Sequence, residues 1–418
     1  MLLPQEFTDY TSHLFGEERW QRFMKSLHDE VPASIRLNPF KGAKLPDGWD
    51  ATAVPWCRNA YWLTTRPQFT LDPHLHAGMY YVQEAGSMFL DTILQQYVND
   101  RCCHALTALD LCAAPGGKST LLRAALPEGS LLFCNEPDHH RCNILQENIQ
   151  KQGHPDVIVT NNYARDYART KLQFDIIITD VPCSGEGMFR RDEGAIREWS
   201  VANVRKCAKL QREIVSDIWK TLRPGGLLVY STCTFNTYED EENVRFICQE
   251  LGADILPVTV KPEWNITGSL LDGFDAPVYR FIPGITKSEG LFIAVMRKHG
   301  DDEIQGVDQL NKTQLLRCAK GLKVLYDGCP QPEQKGKTLI PAHAEALSIA
   351  LDQEKYPQVE LTLNDALRYL HHEALTLPAG TPMGYIIVTY DNHPLGFVKN
   401  LGNRANNLYP KEWAIRII

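Results

Sequence analysis

The stretch ALTALDLCAAPGGKSTLLRAAL, residues 105–126, decides the fold. It opens as a short apolar run that closes on Asp110, as a buried strand does. Pro115, Gly116 and Gly117 then turn the chain, and Lys118–Leu126 continues with an amphipathic, helical pattern. The two glycines remove Cβ atoms where the chain must turn sharply, which also lets a ligand approach the backbone. The helix start offers unpaired N–H groups to a negative group, and Lys118 can add a charge partner for a carboxylate. Taken alone, the same turn would also suit an α/β protein that binds no nucleotide.

Downstream, the alternation continues. SLLFCNEP (130–137) reads as a strand and HRCNILQENIQKQ (140–152) as a helix. VIVTN (157–161) and FDIIITDVPC (174–183) follow as strands, then a helix from Ser200 to Leu222, then GGLLVYSTCT (225–234). GLFIAVM (290–296) is the last strand of the series. Continuous apolar strands alternating with helices predict an α/β, Rossmann-like parallel sheet covered on both faces.

Upstream, the first 70 residues contain prolines, aromatics and two short strand-like pieces, Ala33–Leu37 and Tyr61–Thr64. HGDDEIQGVD (299–308) is polar and acidic and reads as a linker. MGYIIVTYDNHPLGFVKN (383–400) reads as two β runs around a DNHP turn.

Composition sets limits. The 418 residues are 44% hydrophobic and 22% charged, enough for two or three packed domains. The net charge of -8 excludes a uniformly basic surface, so any nucleic-acid contact must use local patches. One such patch is Leu395–Ile418, with four basic residues against one acidic. The 12 cysteines include no CxxC pair, so neither a metal ribbon nor any other metal site is expected. The absence of a basic, apolar leader and of any run near the ~18 apolar residues of a membrane span predicts a reduced, cytoplasmic protein.

Two strand ends carry chemistry. Glu136 ends the strand after the glycine turn, where related sheets place an acid on ribose hydroxyls. The turn lacks G-x-G-x-x-G, and Pro115 with Lys118 does not suit a pyrophosphate. A ribose without phosphates plus a carboxylate describes S-adenosyl-L-methionine better than a dinucleotide.

At the other end, Asp180 and Cys183 close one strand and Cys233 closes the next. Ligands in open α/β sheets sit beyond the carboxyl ends of the strands. Two cysteines there form a candidate nucleophile pair, the alternative being two buried structural thiols. A thiolate adding to C6 of cytosine would make C5 nucleophilic toward a methyl sulfonium, dividing one hard step into easier ones. Asp180 suits hydrogen bonding to the N3/N4 edge of that base. The Gly187–Arg212 segment holds Arg190, Arg191, Arg197, Arg205, Lys206, Lys209 and Arg212, a candidate phosphate contact or a solvated helix face.

These segments resemble the Nol/Nop/Sun family of RNA 5-cytosine methyltransferases, in its bacterial ribosomal RNA branch. The residues that carry the resemblance are LDLCAAPGGKS, NEPDHHR, DIIITDVPCSGEGMFRRD, LRPGGLLVYSTCTFN with EDEENV behind it, and EGLFIAVMRK. SIRLN, VPWC and YYVQEAGSM resemble its N-terminal recognition segments, and PLGFVKNLGNRANNLYPKEWAIR its PUA-like end.

The resemblance implies an N-terminal RNA-recognition region over 1–70 and a methyltransferase domain over 71–298. A linker and intermediate subdomain would fill 299–355, and a PUA-like RNA-binding domain 356–418. It also implies that Cys112, Ala113, Ala114, Pro115, Gly116, Gly117 and Lys118 hold the methionine part of S-adenosyl-L-methionine and Glu136 its ribose. Asp180 would stand between cofactor and base, Cys233 would be the nucleophile, and Cys183 would assist release. The family's acid after the third strand, near the adenine, is replaced here by TNNYARD, with Asn162 and Tyr163 at that place.

The implied partner is RNA, most simply 16S ribosomal RNA or the small-subunit particle. Transfer RNA, or a non-catalytic role in ribosome assembly, are the alternatives. An exocyclic-amine methyltransferase is disfavoured because Cys183 occupies the place of its stacking aromatic.

Overall fold

Residues 3–99, 104–300, 303–304, 306–336, 338–352 and 354–416 are described by the computed structural model. Residues 301, 302 and 305 of the expected linker, and the outermost ends of the expected first and last domains, lie outside them.

Helices Gln5–Phe15 (α1) and Glu17–Ser26 (α2) lead into a first sheet. It holds Ala33–Leu37 (β1), Ala51–Ala53 (β2), Ala60–Leu63 (β3) and Tyr80–Val82 (β4) in the order β2-β3-β1-β4. Because β4 pairs antiparallel with β1, this unit runs past residue 70, where the sequence placed its end.

The central sheet is built around five parallel strands, Thr107–Asp110 (β5), Leu131–Asn135 (β6), Val157–Thr160 (β7), Phe174–Asp180 (β8) and Leu222–Thr232 (β9). Their order is β7-β6-β5-β8-β9. Ala253–Ile255 (β10), Tyr279–Phe281 (β11) and Leu291–Lys298 (β12) extend one side, with β12 antiparallel to β9. Both sheet faces are buried: Ile176 and Ile178 enter one apolar cluster, Ile177 and Leu228 the other. That double burial explains why these strands read as unbroken apolar runs. The helices that cover them include Gly117–Ala125 (α3), His139–Gln152 (α4), Val201–Trp219 (α5) and Glu241–Phe246 (α6). Ser200 caps α5 by accepting from Asn203 N at 3.1 Å. The chain winds from β5 toward β7 and then crosses to β8 and β9. The order therefore reverses between β5 and β8, and a crevice opens beyond their carboxyl ends.

Residues 299–355 do more than link. Val324–Tyr326 (β13) adds an antiparallel strand to the free edge of β7. Beyond the hairpin Glu333–Lys335 (β14) and Thr338–Ile340 (β15), His343–Leu347 (α7) packs between α4 and the last sheet. That sheet holds Gln358–Glu360 (β16), Gly384–Tyr390 (β17), His393–Asn400 (β18) and Ala405–Asn407 (β19). The β17–β18 turn is Asp391–Asn392, both at positive φ, as a tight right-twisted hairpin requires.

The first and last sheets share one core. Ile35, Leu37 and Leu63 pack with Tyr369, Ile386 and Val388 in a single buried cluster. His76 Nδ1 meets Tyr409 Oη at 3.1 Å across that junction.

Candidate active site

The turn after β5 is shaped by Gly116, whose φ of 116° suits glycine alone. Asn135 ties this turn to the one after β7: its Nδ2 donates to Leu111 O (3.0 Å) and Asn162 O (2.8 Å). Asp110 lies beneath α3, fully buried, and accepts from Ser119 Oγ at 2.6 Å. Burial pushes its carboxyl up to about 7, against the lowering effect of Ser119 and Lys118. A cavity of about 190 Å³ opens beside the turn. The backbone of Cys112–Pro115, with Lys118 and Asp180, forms one wall, and Tyr81–Glu84 with Ser87 forms the other.

Lys118 lines this cavity and is also paired within the protein. Its Nζ donates to Asp180 Oδ2 at 2.9 Å. Burial would lower the ammonium, but Asp180 outweighs it and holds Lys118 above its usual range. Asp180 Oδ1 accepts from Ser231 Oγ at 2.8 Å, across the Asp180–Ser231 register of β8 and β9. Both carboxylate oxygens are thus fixed, and the group remains partly open to the crevice, with its side chain 35% exposed.

Three residues past Asp180 and two past Ser231 stand the two cysteines. Cys183 Sγ and Cys233 Sγ are 3.0 Å apart, both free thiols and both half-buried. Cys57, Cys134 and Cys142, by contrast, are buried in the apolar core. The Cys233 sulfur, and then burial, hold the Cys183 thiol well above its usual range.

Glu136 closes β6, next to β5, and is almost fully buried. Its Oε1 accepts from Asp138 N at 3.1 Å, and Arg141 Nη1 lies 3.5 Å from Oε2. Burial raises its carboxyl despite Arg141. Asn162 is tied down: Nδ2 donates to Lys323 O (3.2 Å) and Oδ1 accepts from Lys323 N (3.0 Å). Its amide is oriented by the backbone of Lys323, next to the strand added from the 299–355 segment.

The remaining expectations divide. Arg190 turns inward, donating to Asp29 O and Glu30 O and lying 3.7 Å from Glu289, so it is no phosphate contact. Arg212 donates to Asn243 Oδ1. Arg205, Lys206 and Lys209 are exposed on α5. In the last sheet Lys399, Arg404, Lys411 and Arg416 reach the surface to differing degrees, whereas Phe397 and Tyr409 are core residues. Sequence reasoning missed Ser231, Asn135 and the buried Glu186 and Glu239 behind the cysteines. Glu186 offers only the signal of an acid between two glycines, and Glu239 begins an acidic run, Glu239–Glu242, that reads as solvated. Among the described residues no group could hold a metal ion, and no helix is long and apolar enough to cross a membrane.

Sheet, glycine turn and strand-end thiols together define an RNA methyltransferase that uses S-adenosylmethionine. Three family profiles match the chain: 16S rRNA methyltransferase RsmB/F over 101–297, the N-terminal domain of 16S rRNA methyltransferase RsmF over 3–85, and the methyltransferase RsmF PUA domain over 356–415. The chain belongs to the RsmB/F family of 16S rRNA methyltransferases, in an RsmF-like form with N-terminal and PUA domains.

It is 26% identical to ribosomal RNA small subunit methyltransferase F of Erwinia tasmaniensis, an alignment covering 99% of this chain and 97% of the relative. It is 28% identical to the protein of that name from Escherichia coli O139:H28, over 93% and 92%. Among solved structures, NSun6 from Pyrococcus horikoshii with SFG covers 71% of this chain and 99% of its own at 21% identity, with a TM-score of 0.59. A methyltransferase homologue from the same organism gives 0.57 at 23% identity, covering 71% and 100%. Both support the fold.

Proposed function

We propose that this protein methylates C5 of a cytosine in 16S ribosomal RNA, with Cys233 as nucleophile, Cys183 as the residue of release, and Asp180 between base and cofactor. The observation that carries the reading is the pair of accessible thiols 3.0 Å apart beside a carboxylate fixed by Lys118 and Ser231.

The site fits S-adenosylmethionine. The Cys112–Lys118 turn and the first N–H groups of α3 suit its methionine end, and the buried Glu136 carboxylate suits ribose hydroxyls. Bound there, it supplies an electrophilic methyl group. The chain's own residues do the rest. Cys233 adds its thiolate to C6 and directs electron density onto C5. Asp180 orients the N3/N4 edge of the ring, held in place by its two partners.

Release is an elimination: the C5 proton leaves, its electron pair closes the C5–C6 double bond, and the C6–S bond breaks toward sulfur. Cys183 serves both ends of this step. Its S–H hands a proton to the departing Cys233 sulfur, and the Cys183 thiolate so formed takes the C5 proton. A cytoplasmic setting suits a mechanism that needs reduced thiols, and ten cysteines among the described residues are free.

The test is to map 5-methylcytosine across 16S ribosomal RNA with and without the gene, then to restore it with wild-type or Cys233→Ala protein. Loss of one methylated cytosine, regained only with wild type, is the expected result. An unchanged map rejects the reading, and methylation lost from transfer RNA instead redirects it.

A further inference from the structure

The two loops that carry the cysteines clasp each other through carboxylates. Glu186, from the Cys183 loop, accepts the N–H groups of Phe235 (2.6 Å) and Asn236 (3.0 Å) on Oε2. Its Oε1 accepts from Trp199 Nε1 (2.8 Å) and Asn236 Nδ2 (3.1 Å). Glu239, from the Cys233 loop, answers in kind. Its Oε2 accepts Ser184 N, the residue after Cys183, at 3.0 Å, and Gln211 Nε2 at 2.7 Å. Its Oε1 accepts Asn236 Nδ2 at 2.8 Å. A backbone bond from Gly187 N to Cys233 O (2.8 Å) lies between them. Both glutamates are at most 1% exposed.

Every partner of both carboxylates is a donor, so an amide in either place would point its own N–H at another N–H. Burial, and then the neighbouring Glu186, push the Glu239 carboxyl up to about 7. Two loops can be tied more cheaply than by two facing buried acids around one asparagine. The arrangement makes sense where spacing between the loops matters more than stability.

We propose that Glu186 and Glu239 are positioning residues that set the distance between the two sulfurs, and that Glu239 in particular governs the release step. The inference rests on the cysteine roles given above. The two acids are not equivalent. Glu186 holds the backbone just beyond Cys233, the attacking residue. Glu239 holds the backbone just beyond Cys183 and anchors it to α5 through Gln211. Without Glu239, Cys233 stays at the end of β9 and can still attack, but Cys183 drifts from the sulfur it must protonate. Loss of Glu186 disturbs attack and release together.

The experiment is single-turnover methylation of ribosomal RNA fragments with labelled cofactor, following methyl transfer and the decay of the denaturation-resistant protein–RNA complex. Glu239→Gln should transfer methyl within about threefold of wild type while slowing decay by about tenfold or more. Glu239→Asp, which keeps an acceptor, should restore much of the decay rate. Asn236→Ala, which removes the shared donor but leaves both acids, should show the same split more weakly and serves if Glu239→Gln does not fold. Equal slowing of transfer and decay, or unchanged decay, overturns the proposal. Cys183→Ala run alongside keeps the two readings apart. If it traps no complex, the cysteine roles fall and the clasp's role falls with them. If it traps one and Glu239→Gln does not, the clasp alone falls.

Discussion

Cys183 and Cys233 are 50 residues apart in sequence and 3.0 Å apart at sulfur. Neighbouring parallel strands deliver them, and the Asp180–Ser231 register puts the two loops level. No apolar packing demands that contact, because both thiols are only half-buried and neither belongs to the apolar clusters on the two faces of the sheet.

The pair predicts opposite traps. Cys233→Ala should be inactive and form no covalent complex with RNA. Cys183→Ala should transfer methyl once and then accumulate a complex that survives denaturing gels. Both should keep the wild-type melting profile, since a thiol replaced by a methyl group at a half-exposed strand end leaves little cavity. A complex from Cys233→Ala and none from Cys183→Ala would exchange the roles.

Glu136→Ala should weaken S-adenosylmethionine binding by about 1–3 kcal/mol if the carboxylate bonds the ribose hydroxyls. Burial raises this carboxyl. Affinity should therefore begin to fall at a higher pH than the ordinary carboxylate range, as the group takes up its proton. Calorimetry across pH checks both statements, and unchanged affinity in the variant rejects the assignment.

Asp110 makes a further pH prediction. Its carboxyl stands at about 7 in the folded chain, while an unfolded aspartate titrates near ~3.9. The folded state holds the proton more tightly, so the stability due to this group is full below the unfolded value. It is lost as pH rises through about 7. The whole span is worth on the order of a few kcal/mol. In the cofactor-free protein, Asp110→Asn should flatten the fall in melting temperature between those two values. Parallel curves for variant and wild type would contradict the burial argument.

The C-terminal sheet should bind RNA through its exposed cations. Replacing Arg404, Lys411 and Arg416 with alanine should weaken RNA binding. It should also reduce the salt dependence by roughly 0.7 in log–log slope for each phosphate no longer neutralised. The melting temperature should hardly move, because all three side chains are exposed. Removal of everything after Tyr356 is a different operation. It strips Ile386, Val388 and Tyr369 from Ile35 and Leu37 and should destabilise the N-terminal sheet as well. An RNA affinity that is unaltered in the triple variant at low and moderate salt would remove this sheet from the interface.

Much of this was legible in the sequence, for identifiable reasons. Asp180, Cys183 and Cys233 sit at the ends of apolar runs, and apolar runs mark buried strands, so their common edge could be read directly. The glycine turn carried its own conformational signature. What could not be read depended on distant pairing. Lys323 takes the Asn162 amide from 161 residues away, next to a strand of three residues with no pattern of its own. Within the basic patch at the C-terminus the surface cations are interleaved with Phe397 and Tyr409, which two separate apolar clusters draw inward. The clasp of Glu186 and Glu239 was invisible because two acids near glycine and asparagine ordinarily signal a solvated loop.

The common core of the first and last sheets has a consequence for what the enzyme can choose. Two outer units on a flexible tether could each settle on RNA independently, closing around many shapes. Fused through Ile35, Tyr369 and Ile386, and seated on α4 where Lys151 Nζ lies 5.4 Å from the Trp413 ring centre, they form a fixed gauge. The span from the C-terminal cations to the sulfur pair is then a constant of the molecule. An RNA that touches both ends has to present its phosphates and its target base at that separation.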